Sequence, residues 1–177
     1  MTHRSASLVL GVTFVLLGAT IADGQNWDRE GTNMILVAKK GGDFRSIQAA
    51  LDSITDASSS NPYLVYVAPG VYHQQVQMKD HVVIEGAGEQ LTRIVSGKWY
   101  TVRGSWNSEL RSLTVECTGT GLVSHGCSAI SGRPPDRISH VTIRATGRQA
   151  AGIRMFWPPW TEWSLNDVTL EIRPTST

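Results

Sequence analysis

The sequence has 177 residues, with 16 Lys and Arg against 15 Asp and Glu and a formal charge of +1. That near-neutral balance, with no basic run, excludes a general attraction to nucleic acid or to an acidic membrane surface. The length allows one domain with a real core and excludes two once a leader is removed.

Residues Met1 to Ala22 carry His3 and Arg4, an apolar run from Leu8 to Leu17, and small residues through Thr20-Ile21-Ala22. This is the layout of a secretory signal peptide over residues 1–22, cleaved after Ala22; the other reading is an uncleaved N-terminal anchor. The rest, residues 23–177, reads as one domain, exported to the extracellular space or, in a Gram-negative host, the periplasm, with no membrane contact after cleavage.

Met34-Ile35-Leu36-Val37 forms a first strand and Lys39-Lys40-Gly41-Gly42 a turn. The period then changes: Phe44, Ile47, Leu51 and Ile54 share one helical face, with Asp43 as N-cap, so residues Asp43 to Ile54 are expected to form a short helix. From Tyr63 to Gly88, three short apolar runs follow one another, separated by Ala68-Pro69-Gly70 and Lys79-Asp80. Strands this closely spaced leave no room for crossover helices, so they form antiparallel hairpins or wind as a solenoid.

An internal repeat favours the solenoid. Leu113-Thr114-Val115-Glu116, Val141-Thr142-Ile143-Arg144 and Val168-Thr169-Leu170-Glu171 share one pattern, each with an apolar residue three positions upstream at Leu110, Ile138 and Leu165. Val82-Val83-Ile84-Glu85 is placed in the same frame. A fixed period with apolar residues in register is the signature of stacked coils. The expected fold is all-β: a right-handed parallel β-helix of four to five coils with a short N-terminal capping helix, truncated or lacking a cap at its C-terminal end.

The run Gly41-Gly42-Asp43-Phe44-x-Ser46-Ile47-Gln48-Ala49-Ala50-Leu51, then Val65-x-Val67-x-x-Gly70-Val71-Tyr72, then Ile84-Glu85-Gly86-Ala87-Gly88 and Thr92-x-Ile94, resembles the N-terminal half of the pectinesterase family, within the pectin-lyase-like β-helices. The resemblance implies hydrolysis of methyl esters on polygalacturonate by a nucleophilic aspartate, an acid/base aspartate, glutamines that stabilise the oxyanion and a positioning arginine. Transferred position by position, that set is incomplete. Gln74 stands where the family has a glutamate, Gly126-Cys127-Ser128-Ala129-Ile130 falls at the family's Gln-Ala-Val-Ala-Leu, Gly147-Arg148-Gln149-Ala150 falls at its Gly-Tyr-Gln-Asp, and Arg173-Pro174-Thr175-Ser176-Thr177 occupies the approach to its nucleophile. No residue is therefore assigned a catalytic role.

Other chemistries have weaker support. Asp52, Asp56, Asp80, Asp136 and Asp167 are scattered among turns, no acidic or Cys/His cluster has metal-ligand spacing, and neither metal nor cofactor is expected. Cys117 and Cys127 are either a disulfide or two free thiols. Met155-Phe156-Trp157-Pro158-Pro159-Trp160-Thr161-Glu162-Trp163 is a stiff aromatic segment, and Trp99, Tyr100 and Trp106 lie about two coils earlier. Trp157, Trp160, Trp163, Trp99 and Tyr100 are candidate carbohydrate contacts for a pectin-like polysaccharide; the alternative for the later tryptophans is a cover over the end of the stack. Two functions stand: a non-catalytic β-helix that binds polysaccharide or a cell-surface partner, and a carbohydrate esterase, divergent or represented by its N-terminal piece.

Overall fold

The computed structural model describes residues 33–119, 127–147, 150–155 and 164–174. The signal-peptide reading and the Trp157, Trp160 and Trp163 segment lie outside these residues. Strand β1 (Asn33–Val37) leads into a tight reversal, where a Cβ on Gly42 would stand 2.7 Å from the Ala38 nitrogen. The Asp43 amide donates to the Leu36 carbonyl and its carboxylate accepts from the Leu36 amide, both at 2.8 Å. Phe44 is thereby turned back beside Val37 in a parallel bridge.

This corrects the helix start expected from the sequence. Asp43 is committed to Leu36 and cannot cap a helix, and Phe44 reaches the core from a bridge rather than from a helical face. Helix α1 spans Ile47–Ser53, and Ser46 is its N-cap, accepting from the Ala49 amide. Ile47, Ala50 and Leu51 are buried against the first coils, so the helix does cover the N-terminal end of the stack.

The remaining strands are β2 (Tyr63–Val67), β3 (Gly70–His73), β4 (Val76–Gln77), β5 (Val82–Gly86), β6 (Thr92–Ser96), β7 (Tyr100–Arg103), β8 (Glu109–Thr118), β9 (Ser128–Gly132), β10 (Arg137–Gly147), β11 (Ala151–Met155) and β12 (Ser164–Pro174). Among the described residues every strand pairing is parallel. One sheet runs β1-β2-β5-β8-β10-β12, with β3 and β6 joining it beside β8, and a second runs β4-β7-β9-β11. The chain is a right-handed parallel β-helix of about five coils.

Register explains why the repeat was visible. Val65, Ile84, Leu110, Ile138 and Leu165 stack as successive partners, and so do Tyr72, Ile94, Val115, Ile143 and Leu170. All but Leu165 and Leu170 are buried. Each such aliphatic side chain contributes about 1.5–3 kcal/mol by leaving water, so the columns hold the coils in phase.

The frame expected for Val82 is corrected. Ile84, not Val82, is in phase with Leu110, the apolar residue upstream of the repeat, and the counterpart of Val115 is Ile94 on β6. β8 is one long strand that runs beside both β5 and β6, whereas its predecessor coil is interrupted from Ala87 to Leu91. A Cβ on Gly86 would stand 2.4 Å from the Ser112 carbonyl oxygen, so glycine lets that interruption lie against β8. Within the long strands the chain bends at Ser112, His140 and Asp167, which all have positive φ near 50–56° and stack in successive coils.

Candidate functional site

A strip of rings and guanidinium groups surrounds β7. Trp99 is 62% exposed just before the strand, and its ring centroid lies 6.3 Å from that of Tyr100. At the other end of the strand, the Arg103 guanidinium lies over the Tyr100 ring, 4.7 Å from its centroid. Trp106 follows, 50% exposed, with the Arg133 guanidinium 3.2 Å from its ring centroid.

Local backbone contacts fix these groups. The Ser128 amide donates to the Trp99 carbonyl at 3.0 Å, and Gln75 Nε2 donates to the Tyr100 carbonyl at 3.1 Å. Gly104 donates to the Arg133 carbonyl at 2.9 Å, and a Cβ there would meet the Pro135 nitrogen at 2.2 Å. That close approach brings Arg133 over Trp106. Asp136 pairs with Arg133 and accepts from the Asn107 amide at 2.6 Å, while Asp80 accepts from the Ser105 hydroxyl and the Trp106 amide. An open groove of about 550 Å³ adjoins this turn, lined by Ile54, Met78, Lys79, Asp80 and Ser105 among others.

Cys117 and Cys127 are joined as a disulfide with Cα atoms 5.8 Å apart. Their sulfurs lie 3.1 and 3.3 Å from the Lys98 carbonyl oxygen, directly behind Trp99. The bridge therefore backs the segment that presents the exposed indole.

The outer face of the long sheet has a different character. Arg93 pairs with Glu116, Arg111 with Glu85 at 2.9 Å, and Arg144 binds Glu171 through two nitrogens at 3.1 and 3.2 Å. The Arg144 hydrogen bonds hold the Glu171 carboxyl below its usual range, and Glu171 in turn raises the Arg144 guanidinium. These charges answer one another from coil to coil. The β7 strip instead combines the exposed indoles of Trp99 and Trp106 with guanidinium groups stacked on the Tyr100 and Trp106 rings, a combination that suits the C–H faces of sugars and their acidic substituents.

Residues aligned with the family's chemistry have structural occupations here. Gln74 Oε1 accepts from the Ser46 hydroxyl at 2.8 Å and from the Gln48 amide at 3.1 Å, completing the helix cap. Ser128 is buried on β9, and its hydroxyl has no hydrogen-bond partner among the described residues. The Ala150 amide closes a turn onto the Gly147 carbonyl. Asp52 accepts from Gln48 Nε2, and Asp56 from the Tyr63 hydroxyl and Asn61. Asp167 lies 3.8 Å from His140 in the bend column. No group of three or more potential metal ligands occurs among the described residues.

Trp99 and Tyr100 are thus brought together, whereas the partners that make them a surface, Arg103 and Arg133, were not singled out from the sequence. The available signal was an arginine close after an aromatic residue in one coil and another at the matching turn of the next.

Comparison with known proteins agrees with the fold. The pectinesterase family model matches residues 33–155. A probable pectinesterase/pectinesterase inhibitor 17 of Arabidopsis thaliana is 33% identical over 93 residues, covering 51% of this chain and 17% of that protein. A pectin methylesterase in complex with a hexasaccharide superposes with a TM-score of 0.56 at 14% identity, over 80% of this chain and 46% of that one. The pectin methylesterase from carrot gives 0.54 at 19% identity, over 67% of this chain and 41% of that one. The chain spans less than half the length of these relatives, and over the coils it shares with them it belongs to the pectinesterase family.

Proposed function

We propose that this protein is a secreted, non-catalytic member of the pectinesterase family that binds a pectin-like polysaccharide along the β7 side of its coil stack. The observation that carries this reading is the pair of ring and guanidinium groups beside β7, Trp99 with Tyr100 and Arg103, and Trp106 with Arg133. Indole faces stack on pyranose rings, and the Arg103 guanidinium attracts galacturonate carboxylates. A strip held on strands and tight turns loses little entropy on binding. Trp157, Trp160 and Trp163 remain candidate contacts on the same ligand.

The non-catalytic part rests on sequence. Gln74, Gly126 and Ala150 occupy positions where the family's pattern has a glutamate, a glutamine and an aspartate, and the chain reads Arg173-Pro174-Thr175-Ser176-Thr177 where the approach to the nucleophile belongs. Without two positioned carboxylates in different protonation states, ester hydrolysis has neither nucleophile nor acid. Export is supported by the leader pattern of residues 1–22 and fits the disulfide, which persists in oxidising compartments. The second reading, a pectinesterase-type carbohydrate esterase that is divergent or an N-terminal fragment, is favoured by family membership together with the partial coverage of its relatives.

Methyl-esterified and de-esterified pectin, followed by tryptophan fluorescence and methanol release, separate the readings. Saturable quenching without methanol is expected, weakened several-fold by Trp99→Ala or Arg103→Ala in protein that remains folded. Methanol above a no-protein blank would establish the esterase instead. No quenching by either polymer would remove the binding reading.

A further inference from the structure

Half-buried arginines in this fold are generally matched by an acid, and Arg103 is not. Arg93, Arg111, Arg133 and Arg144 meet the carboxylates of Glu116, Glu85, Asp136 and Glu171. Among the described residues Arg103 forms no ion pair. Its Nε is buried without an acceptor, as in Arg93, Arg111 and Arg133, but in those three a terminal nitrogen holds a carboxylate. The Tyr100 ring lies 4.7 Å from the Arg103 guanidinium carbon, and a ring face gives its five N–H donors no oxygen to bond.

The neighbouring coils do not supply the missing charge. Gln77 on β4 is the register partner of Arg103, and the pairing of Val102 with Ile130 puts Ser131 of β9 on its other side. Arg154 of β11 is in turn the partner of Ser131. Through four successive coils this position therefore reads Gln, Arg, Ser, Arg, with the two arginine backbones about 9–10 Å apart and no acid among them. Asp80 and Asp136 at the adjoining turn are engaged by Ser105, by the Trp106 and Asn107 amides and by Arg133. A partly desolvated guanidinium without an acid partner is unfavourable until a ligand brings one.

We propose that Arg103 reads the charge state of the polymer, so that the β7 side selects stretches of free galacturonate over their methyl esters. This rests on the polysaccharide-binding reading above and adds the chemical form of the ligand to it. A free uronate offers a full negative charge and two equivalent oxygens, which a guanidinium grips with two parallel N–H···O bonds. A methyl ester offers a neutral carbonyl and no charge. The indoles make no such distinction, because the C–H faces of the sugar are the same in both polymers. Trp99 thus supplies affinity for either form, and Arg103 supplies the difference between them. The form selected is the product of ester hydrolysis, so a demethylating reaction must precede binding.

Isothermal titration calorimetry with polygalacturonate, and with the same polymer highly methyl-esterified, tests this. The wild-type protein is expected to bind the acid form at least about tenfold more tightly, the size of one charge-assisted contact. Added salt should shrink that ratio. Arg103→Gln is expected to bring the ratio close to one by weakening the acid form alone, while Arg103→Lys keeps a reduced preference, since the charge remains and the planar fork is lost. Trp99→Ala is expected to weaken both forms by the same factor and leave the ratio unchanged. Equal wild-type affinity for the two polymers, or a preference for the ester, overturns the selection while the polysaccharide reading stands; binding of neither removes both. A preference that survives Arg103→Gln in protein with an unchanged circular dichroism spectrum overturns the role of Arg103.

Discussion

Cutting the disulfide has a magnitude that follows from its place in the chain. Cys117 ends the buried part of β8, Cys127 precedes β9, and the two are 10 positions apart. A cross-link closing a loop of that length removes about 2.7 kcal/mol of chain entropy from the unfolded state at 25 °C. For a domain of this size, 1 kcal/mol corresponds to about 2–4 °C in melting temperature. Reduction, or the Cys117→Ala/Cys127→Ala double variant, is therefore expected to lower the midpoint by about 5–11 °C. Differential scanning calorimetry with and without reductant, with thiol content confirmed by mass, provides the measurement. The bridge also backs Lys98 and Trp99, so the intrinsic tryptophan emission should shift toward that of a freer indole before the main transition. A midpoint that moves by less than about 2 °C after verified reduction would refute the entropic argument.

Gly86→Ala drives a Cβ into the Ser112 carbonyl and Leu113 Cβ, at 2.4 and 2.6 Å, and is expected to destabilise by at least about 1–3 kcal/mol in urea titration. Tyr72 is 1% exposed and donates to the Ala68 carbonyl at 2.9 Å, so Tyr72→Phe should lose about 1 kcal/mol at neutral pH. Burial raises the Tyr72 phenol. Its contribution is therefore complete below about pH 10 and declines as pH rises through the folded value, and the gap between Tyr72→Phe and wild type should narrow in alkaline melts. Arg144 lowers the Glu171 carboxyl, so that pair supports the fold above the ordinary carboxylate range and is lost as pH falls through Glu171's lowered value. Glu171→Gln should flatten the acid limb of the stability profile.

The coil stack was legible where the chain repeats itself in space. Leu113, Val141 and Val168 stand in one register column, with Leu110, Ile138 and Leu165 in another, because a parallel solenoid returns each inward position to the same corner. Val82 was misplaced because Ala87 to Leu91 splits the earlier coil into β5 and β6, and a count of residues cannot distinguish an interruption from a longer repeat. Phe44 was assigned to the helix because its spacing fits, and the tertiary contact of Asp43 with Leu36 overrode that spacing. At the candidate site, exposed aromatic residues could be named from composition alone. Their pairing with Arg103 and Arg133 depends on which turns adjoin across coils, and local sequence does not carry that information.

The helix over the first coil also bears on the order in which the chain becomes structured. A ribosome releases α1 and β1 before any later coil exists, so the earliest coils emerge already closed at one end and open at the other. Each new coil then meets a single ready-made edge and needs to close only a loop of roughly one coil's length, a modest entropic step repeated down the chain. During synthesis, coils added in chain order would therefore always find a formed neighbour on one side. A lesion in α1 would raise the barrier for every coil behind it, whereas the same lesion in β11 would trouble only the last.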